Sequence, residues 1–316
     1  MRLAKAILLR FAFGLLSLIF ISFVTFVADE IAPGDRATVE AGEKASPETI
    51  ARLRKLYGLD RPWPVRYGEF LGNAVRLDFG TSYYGTKEEV WTILKRNLPM
   101  TVKIAMFAIV AAALFGVTLG TIAAVWENRG IDRSVLVFST LGVTVPNFVL
   151  APILVYFFSL KWDVLPQTWS TELVAPELYY LILPVLILAA RPGAMLTRLT
   201  RASMVDTLEQ EFIRTAVAKG VPFWRMILRH ALRNAILPVL TAMGTSFGFL
   251  LTGSFVVERF FVLPGIGFLA IEAIQQGNTP VMQACILLTG MMFICVNLLV
   301  DLLLPLLDPR IRESQV

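Results

Sequence analysis

The side chains able to carry a reaction are few in this sequence and badly placed for one another. Its single histidine, His230, lies in a basic stretch between Arg229 and Arg233. A serine protease needs its nucleophile and base held together, yet Ser254, after Gly253, and His230 fall at opposite ends of one apolar segment. An aspartyl protease needs two facing carboxylates, and Asp301 is the only acid well inside an apolar run. Cys285 and Cys295 share a run with no CxxC and no nearby histidine, so neither a disulfide framework nor a zinc site is indicated and two packed thiols are expected. No G-x-x-x-x-G-K-[ST] occurs, so the chain does not bind ATP by a P-loop. These absences argue against an enzyme, a metal site or a resident cofactor.

The elements that would position such groups are set by the solvent they fold in. Hydrophobic residues make up 56% of the 316 residues, charged residues 17%, and mean hydropathy is +0.67. The apolar runs reach the roughly 20 residues that cross a bilayer. The reading is an all-α membrane protein with six transmembrane helices near 7–28, 99–126, 135–160, 178–198, 234–257 and 280–305. Arg2 and Lys5 precede the first run, which is too long for a signal-peptide core and reads as a signal anchor, with Arg10 able to snorkel. The net charge of +5 comes from basic residues beside apolar segments, a mark of topology rather than of a nucleic-acid partner.

Between spans four and five stand Arg198, Arg201, Arg214, Lys219, Arg225, Arg229 and Arg233 against Asp206, Glu209 and Glu211. The loop between spans three and four has only Lys161 against Asp163, Glu172 and Glu177, and the one after span five has Glu258, Arg259 and Glu272. The positive-inside rule then puts both termini and the 198–233 stretch in the cytoplasm. Four regions follow: the first helix (1–28), an extracytoplasmic helical insertion (29–98), a core of five helices (99–305) with a cytoplasmic loop at 199–233, and a cytoplasmic tail (306–316). Within the insertion, Ser46-Pro47 opens a helix that Gly58 closes, with Ile50, Leu53 and Tyr57 on one face. Further short helices are predicted near 65–75 and 87–97.

Polar groups in the spans, Thr144, Asn147, Thr241, Thr245, Ser246 and Asn297, need either helix–helix hydrogen bonds or a wet cavity. Prolines 146, 184, 192 and 238 stand among them, and Gly116-x-x-x-Gly120 and Gly244-x-x-x-Gly248 are faces for close helix approach. The cytoplasmic stretch TRLTRASMVDTLEQEFIRTAVAKGVPFWRMILRHALRNAILPVLT (197–241) centres on Arg214-Thr215-Ala216-Val217-Ala218-Lys219-Gly220. By pattern it is either a short helix that seats in a groove of another protein or a basic helix lying on the membrane surface.

This stretch resembles the cytoplasmic coupling loop of ABC importer permeases of the dipeptide/oligopeptide/nickel branch, and the resemblance runs along nearly the whole chain. It includes Pro33-Gly34-Asp35, Leu53-Arg54-Lys55-Leu56-Tyr57-Gly58-Leu59-Asp60-Arg61-Pro62 and Leu77-Asp78-Phe79-Gly80-Thr81-Ser82. It continues through Val145-Pro146-Asn147-Phe148, Leu237-Pro238, Gly253-Ser254-Phe255-Val256-Val257-Glu258 and Pro264-Gly265-Ile266-Gly267. The last blocks are Asn297-Leu298-Leu299-Val300-Asp301 and Asp308-Pro309-Arg310-Ile311-Arg312. Importer loops in general begin Glu-Ala-Ala; here Arg214 takes the glutamate position and the spacing from Gly220 to Pro238 is longer, both similar to the peptide branch. Where the branch often has an acid before the proline opening span six, this chain has Asn278.

The resemblance implies a permease subunit of the inner membrane. Its implied partners are a second homologous permease, two ABC ATPase subunits that bind the ATP, and an extracytoplasmic solute-binding protein. Arg214, Ala216, Ala218, Lys219 and Gly220 would make the ATPase-coupling contact, and the six polar span residues would line the translocation path. Di- or oligopeptides are the implied solute, with nickel, glutathione or an opine- or sugar-like solute as alternatives. A stand-alone secondary carrier is the competing class; such carriers place ionisable groups near the midplane and have no use for a coupling loop.

Overall fold

The computed structural model describes residues 2–31, 36–42, 45–85, 87–170, 172 and 176–307. The Pro33–Asp35 block, the Asp308–Arg312 block and most of the proposed tail lie outside the described residues. Helix dominates; among the described residues the one β-bridge joins Thr81 to Glu89. Chain order gives α1 (Arg2–Ile31), α2 (Arg36–Ala41), α3 (Pro47–Leu56), α4 (Trp63–Val75), α5 (Val90–Val125), α6 (Gly130–Thr144) and α7 (Asn147–Val155). Then follow α8 (Glu177–Leu208), α9 (Glu211–Ala218), α10 (Phe223–Arg225), α11 (Leu232–Gly253), α12 (Phe255–Phe261), α13 (Ile266–Gln276) and α14 (Thr279–Leu307). A π-helical turn, Met226–Ala231, joins α10 to α11, and another, Tyr156–Lys161, extends α7.

Five segments are long and apolar enough to cross a bilayer, and α6 with α7 makes a sixth if the bent pair is one span. The span expected over 135–160 corresponds to this bent pair, in which the chain turns by 108° between α6 and α7. Pro146 drives its predecessor out of the helical region, and Val145 is extended at φ −77°, ψ 119°. Two other boundaries move. The helix expected at 87–97 is the first part of α5, which runs unbroken through Pro99. The fifth span starts at Phe223, eleven residues before the predicted 234, because the π-helical turn carries the helix on.

α5 packs along α8, and the glycines explain how closely. A Cβ on Gly116 would stand 2.6 Å from Leu196 Cβ, and one on Gly120 would stand 2.6 Å from the Thr197 carbonyl. On α11, a Cβ at Gly244 would strike Val300 of α14 at 2.4 Å, and one at Gly248 would press on Phe293 at 3.1 Å. Both small-residue faces are thus spent inside the chain. Leu181, Leu183, Ile187, Leu188 and Ile104 fill the core between them, each at most 1% exposed.

Ion pairs fasten both ends of the bundle. Lys103 meets Glu177 at 2.6 Å at the insertion end. At the other end Arg10 meets Asp301 at 2.7 Å, so Arg10 finds a protein partner instead of merely snorkelling. The strongest tie there is Arg201 on α8, which donates from Nε and Nη2 to the Asp132 carboxylate of α6 at 2.7 and 2.8 Å. Of the two thiols, Cys285 is buried but Cys295 is exposed, so the expectation of two packed thiols is corrected for Cys295.

The insertion is built as its local chemistry dictates. The Thr49 amide donates to Ser46 Oγ at 3.3 Å to cap α3, and Gly58 takes φ +64° past its end. Tyr67 of α4 packs edge-on to Phe23 of α1 and shares a 2.9 Å hydrogen bond with Ser22. The 81–85 turn is held by Asn278: its Nδ2 donates to Ser82 Oγ at 2.8 Å and its Oδ1 accepts from the Tyr83 amide at 3.2 Å. Asn278 is 4% exposed, so this position is a tie between the insertion and α14. Asn278→Ala is expected to cost about 2 kcal/mol and free the turn, seen as faster amide exchange at Ser82 and Tyr83. Asn278→Asp keeps the acceptor for the Tyr83 amide but loses the Nδ2 donor to Ser82 Oγ and buries a charge, so exchange there should rise as well.

Candidate functional site

The candidate coupling segment forms a small helical knob at the end of the bundle opposite the insertion. α9 is anchored by Ile213, 4% exposed, which packs with Ala124, Met204, Met226, Ile227 and Ala235. Its C-terminus is closed by two bonds: Gly220 N–H to the Val217 carbonyl at 2.9 Å and Val221 N–H to the Ala216 carbonyl at 3.2 Å. Gly220 has φ +74°, so glycine is required there by the backbone.

Of the five sequence-predicted contact residues, Arg214, Ala218, Lys219 and Gly220 are exposed and Ala216 is half-buried. Arg214 pairs with Glu211 at 2.8 Å, one turn away on the same surface. The sequence reading missed the apolar part of the knob. Phe212, Val217, Phe223 and Trp224 are 39%, 57%, 51% and 57% exposed, although each is large enough to profit from burial. Their signal was available in the sequence: large apolar residues within and just after a basic cytoplasmic stretch.

The six candidate path residues separate into groups. Thr241 and Thr245 lie one turn apart on an open stripe of α11 that also carries Asn234, Pro238 and Phe249. Thr144 is exposed at the end of α6 and Asn147, half-buried, opens α7 just past the bend. Ser246 is 9% exposed and points from that stripe, and Asn297 is half-buried on α14, its Oδ1 near Gly248. Thr144, Thr241 and Thr245 donate to backbone carbonyls four residues earlier, so their hydroxyls are satisfied within their own helices.

A second polar cluster sits at the insertion end, where α12 and α13, which lie outside the candidate spans, meet α5. Glu258 of α12, 0% exposed, accepts from Ser254 Oγ at 2.7 Å, Gly267 N–H at 2.6 Å and Phe268 N–H at 3.1 Å. Thr101 of α5 accepts from Ile266 N–H at 2.8 Å. Together they cap the first turn of α13, whose orphan amides would otherwise be buried unpaired. Ser254 is thereby occupied as a structural donor. Among the described residues no group of His, Cys, Asp or Glu could hold a metal.

A helical bundle with five or six candidate membrane spans and an anchored helical knob has the build of a transporter's membrane subunit. The chain belongs to the binding-protein-dependent transport system inner membrane component family, whose profile matches residues 116–313, with that family's N-terminal component profile matching residues 3–105. It is 39% identical over 300 residues to the glutathione transport system permease protein GsiC of Escherichia coli (strain K12), covering 95% of this chain and 96% of the relative. It is 37% identical over 291 residues to a probable peptide ABC transporter permease protein, y4tP, of Sinorhizobium fredii, covering 91% and 92%. Its fold is similar to that of a chain of the MetNI methionine ABC transporter at TM-score 0.56 and 14% identity, covering 68% of this chain and 96% of that one. The protein is a multi-pass inner-membrane permease subunit of an ABC importer, and ATPase subunits and a substrate-binding protein are its implied partners.

Proposed function

We propose that this permease moves small peptides, glutathione among them, into the cytoplasm, and that α9 is the helix through which the ATPase drives it. The observation that carries the coupling assignment is the knob itself: rigidly seated by Ile213, locked by the Gly220 cap, yet presenting Val217, Ala218 and Phe212 to solvent. The solute class is supported by the glutathione and peptide permeases to which the chain is similar.

In this reading both termini, the 199–233 loop and the 306–316 tail are cytoplasmic and the insertion faces outward. A second permease completes the pore, and Thr144, Asn147, Thr241 and Thr245 line it, with Ser246 and Asn297 supporting the helices behind. ATP binding by a pair of ATPases closes them, α9 carries the movement through the π-helical turn 226–231 into α11, and the cavity opens outward. Differential affinity of the two states for nucleotide supplies the bias.

Purifying the tagged chain from its host should bring down a sister permease and two ATPases. Ala218→Glu, at a site with no internal contact to lose, should leave abundance and thermal unfolding unchanged while ATP-driven peptide uptake falls at least about tenfold, because a buried unpaired charge at a protein contact costs several kcal/mol. Gly220→Glu should show the same loss with an added local strain of about 1–2 kcal/mol. Wild-type uptake by both variants would remove α9 from the coupling path.

A further inference from the structure

Arg191 stands in the middle of a membrane span. It is the fifteenth residue of the 32-residue helix α8. That places it about 21 Å along the axis from Glu177 and about 15 Å short of Arg201, the two residues whose ion pairs mark the ends of the bundle. Its side chain is exposed, and among the described residues it makes no hydrogen bond or ion pair. The span acids that might have served are engaged elsewhere. Asp132 holds Arg201, Glu177 holds Lys103, Asp301 holds Arg10, and Asp29 accepts from Gln283. Asp206, on the same helix, is about 22 Å away.

A guanidinium at this depth is costly in lipid and belongs beside water or an anion. The direction in which it points is set by its neighbours. Ala190 and Ala194 abut Gly142 of α6, while Gly193, Leu196, Thr197 and Thr200 abut α5. At about 100° per residue Arg191 is turned away from both contacts, roughly opposite α5. On that face the preceding turn, Ile187 and Leu188, is sealed in a core shared with Ala151 and Val155 of α7. From Arg191 onward, through Met195 and Arg198, the face is open. The open faces of the two helices packed on α8 here, α6 and α11, carry Thr144 and the Thr241–Thr245 stripe. Those hydroxyls are satisfied by their own backbones, whereas Arg191 and, about 10 Å further along α8, Arg198 have no acceptor among the described residues, and of the two only Arg191 stands at mid-span.

We infer that Arg191 lies in the translocation cavity and is the subsite that receives a carboxylate of the transported solute. An arginine suits this because its planar fork binds a carboxylate through two parallel hydrogen bonds and stays charged. The inference rests on the importer reading and deepens it: peptides and glutathione each carry a terminal carboxylate, and the cation would draw that group past the mid-membrane barrier.

The test uses the complete transporter in proteoliposomes, with labelled glutathione and a labelled dipeptide as probes and one unchanged binding protein throughout. Arg191→Gln is expected to lower ATP-driven uptake of both about tenfold or more, the scale of one charge-assisted bidentate contact, and Arg191→Lys should recover much of it. Arg191→Cys in a Cys295→Ala background should react with a water-soluble thiol reagent, and probe should protect it. Undiminished uptake by Arg191→Gln at equal abundance overturns the assignment, as does a thiol at 191 that only lipid-soluble reagents reach. Loss of the sister permease from the purified Arg191→Gln complex also overturns it, by making Arg191 an intersubunit ion pair. If the wild type imports neither probe, the peptide-importer reading fails by itself. The thiol chemistry at 191 then still decides whether the site is wet.

Discussion

Asp132→Ala is expected to destabilise the folded chain by about 3–5 kcal/mol, because it strands a largely buried guanidinium without its counter-charge. Asp132 is 2% exposed and takes both donors of Arg201. Its Oδ2 also accepts the Asn128 amide at 2.9 Å, which holds the tight turn in which Asn128 takes φ +59°. One carboxylate therefore fixes the α5–α6 turn, the start of α6 and the end of α8 together. Arg201 is only 21% exposed and its other neighbour, Glu127, stands at 3.6 Å, too far to replace Asp132 without movement. Denaturant unfolding in detergent reads the effect. Because the stranded charge is the main cost, Asp132→Ala/Arg201→Met should unfold at higher denaturant than Asp132→Ala alone. A double variant destabilised by the full sum of the two singles would mean that the residues act separately.

Glu258→Ala should be nearly as damaging, at about 3 kcal/mol, since it leaves the amides of Gly267 and Phe268 and the Ser254 hydroxyl buried without an acceptor. The glycines beside it cannot compensate. A Cβ on Gly265 would fall 2.4 Å from Glu258 Oε2, and one on Gly267 would fall 2.6 Å from the Phe255 Cα, a backbone atom with no room to yield. Gly267→Ala should therefore cost about 1–3 kcal/mol by overpacking, with hydrogen exchange rising along α13 in both variants. Glu258→Gln keeps an acceptor for the two amides and should be much milder.

Burial pushes the Glu258 carboxyl above the ordinary carboxylate range, against the opposing hydrogen bonds from Ser254, Phe268, Thr101 and Gly267. A group that holds its proton more tightly folded than unfolded contributes stability that is fully present below its unfolded value and lost as pH rises through its folded one. Wild-type stability should thus decline with rising pH across the weakly acidic range relative to Glu258→Gln. Parallel pH profiles for the two proteins would contradict this.

Much of this molecule could be read from composition and period. Runs of about 20 apolar residues can only be spans in a bilayer, Ser46-Pro47 and Gly58 can only bracket a helix cheaply, and the basic stretch around 214–220 needs no tertiary knowledge to be set apart. The close-packing glycines at 116, 120, 244 and 248 were also legible, because only hydrogen lets two helix backbones approach so nearly. These features depend on local backbone geometry and on the solvent, and a sequence states both directly. What tertiary structure alone decided are the partnerships across distance. Asn278 holds Ser82 from 196 residues away, Arg201 holds Asp132 from 69, and Glu258 closes a helix it does not belong to. The same is true of the outward apolar face of α9, the 108° bend after Thr144 and the exposed setting of Arg191. Each depends on which surfaces the fold brings together and which it leaves open, and no residue carries that information until its neighbours in space are known.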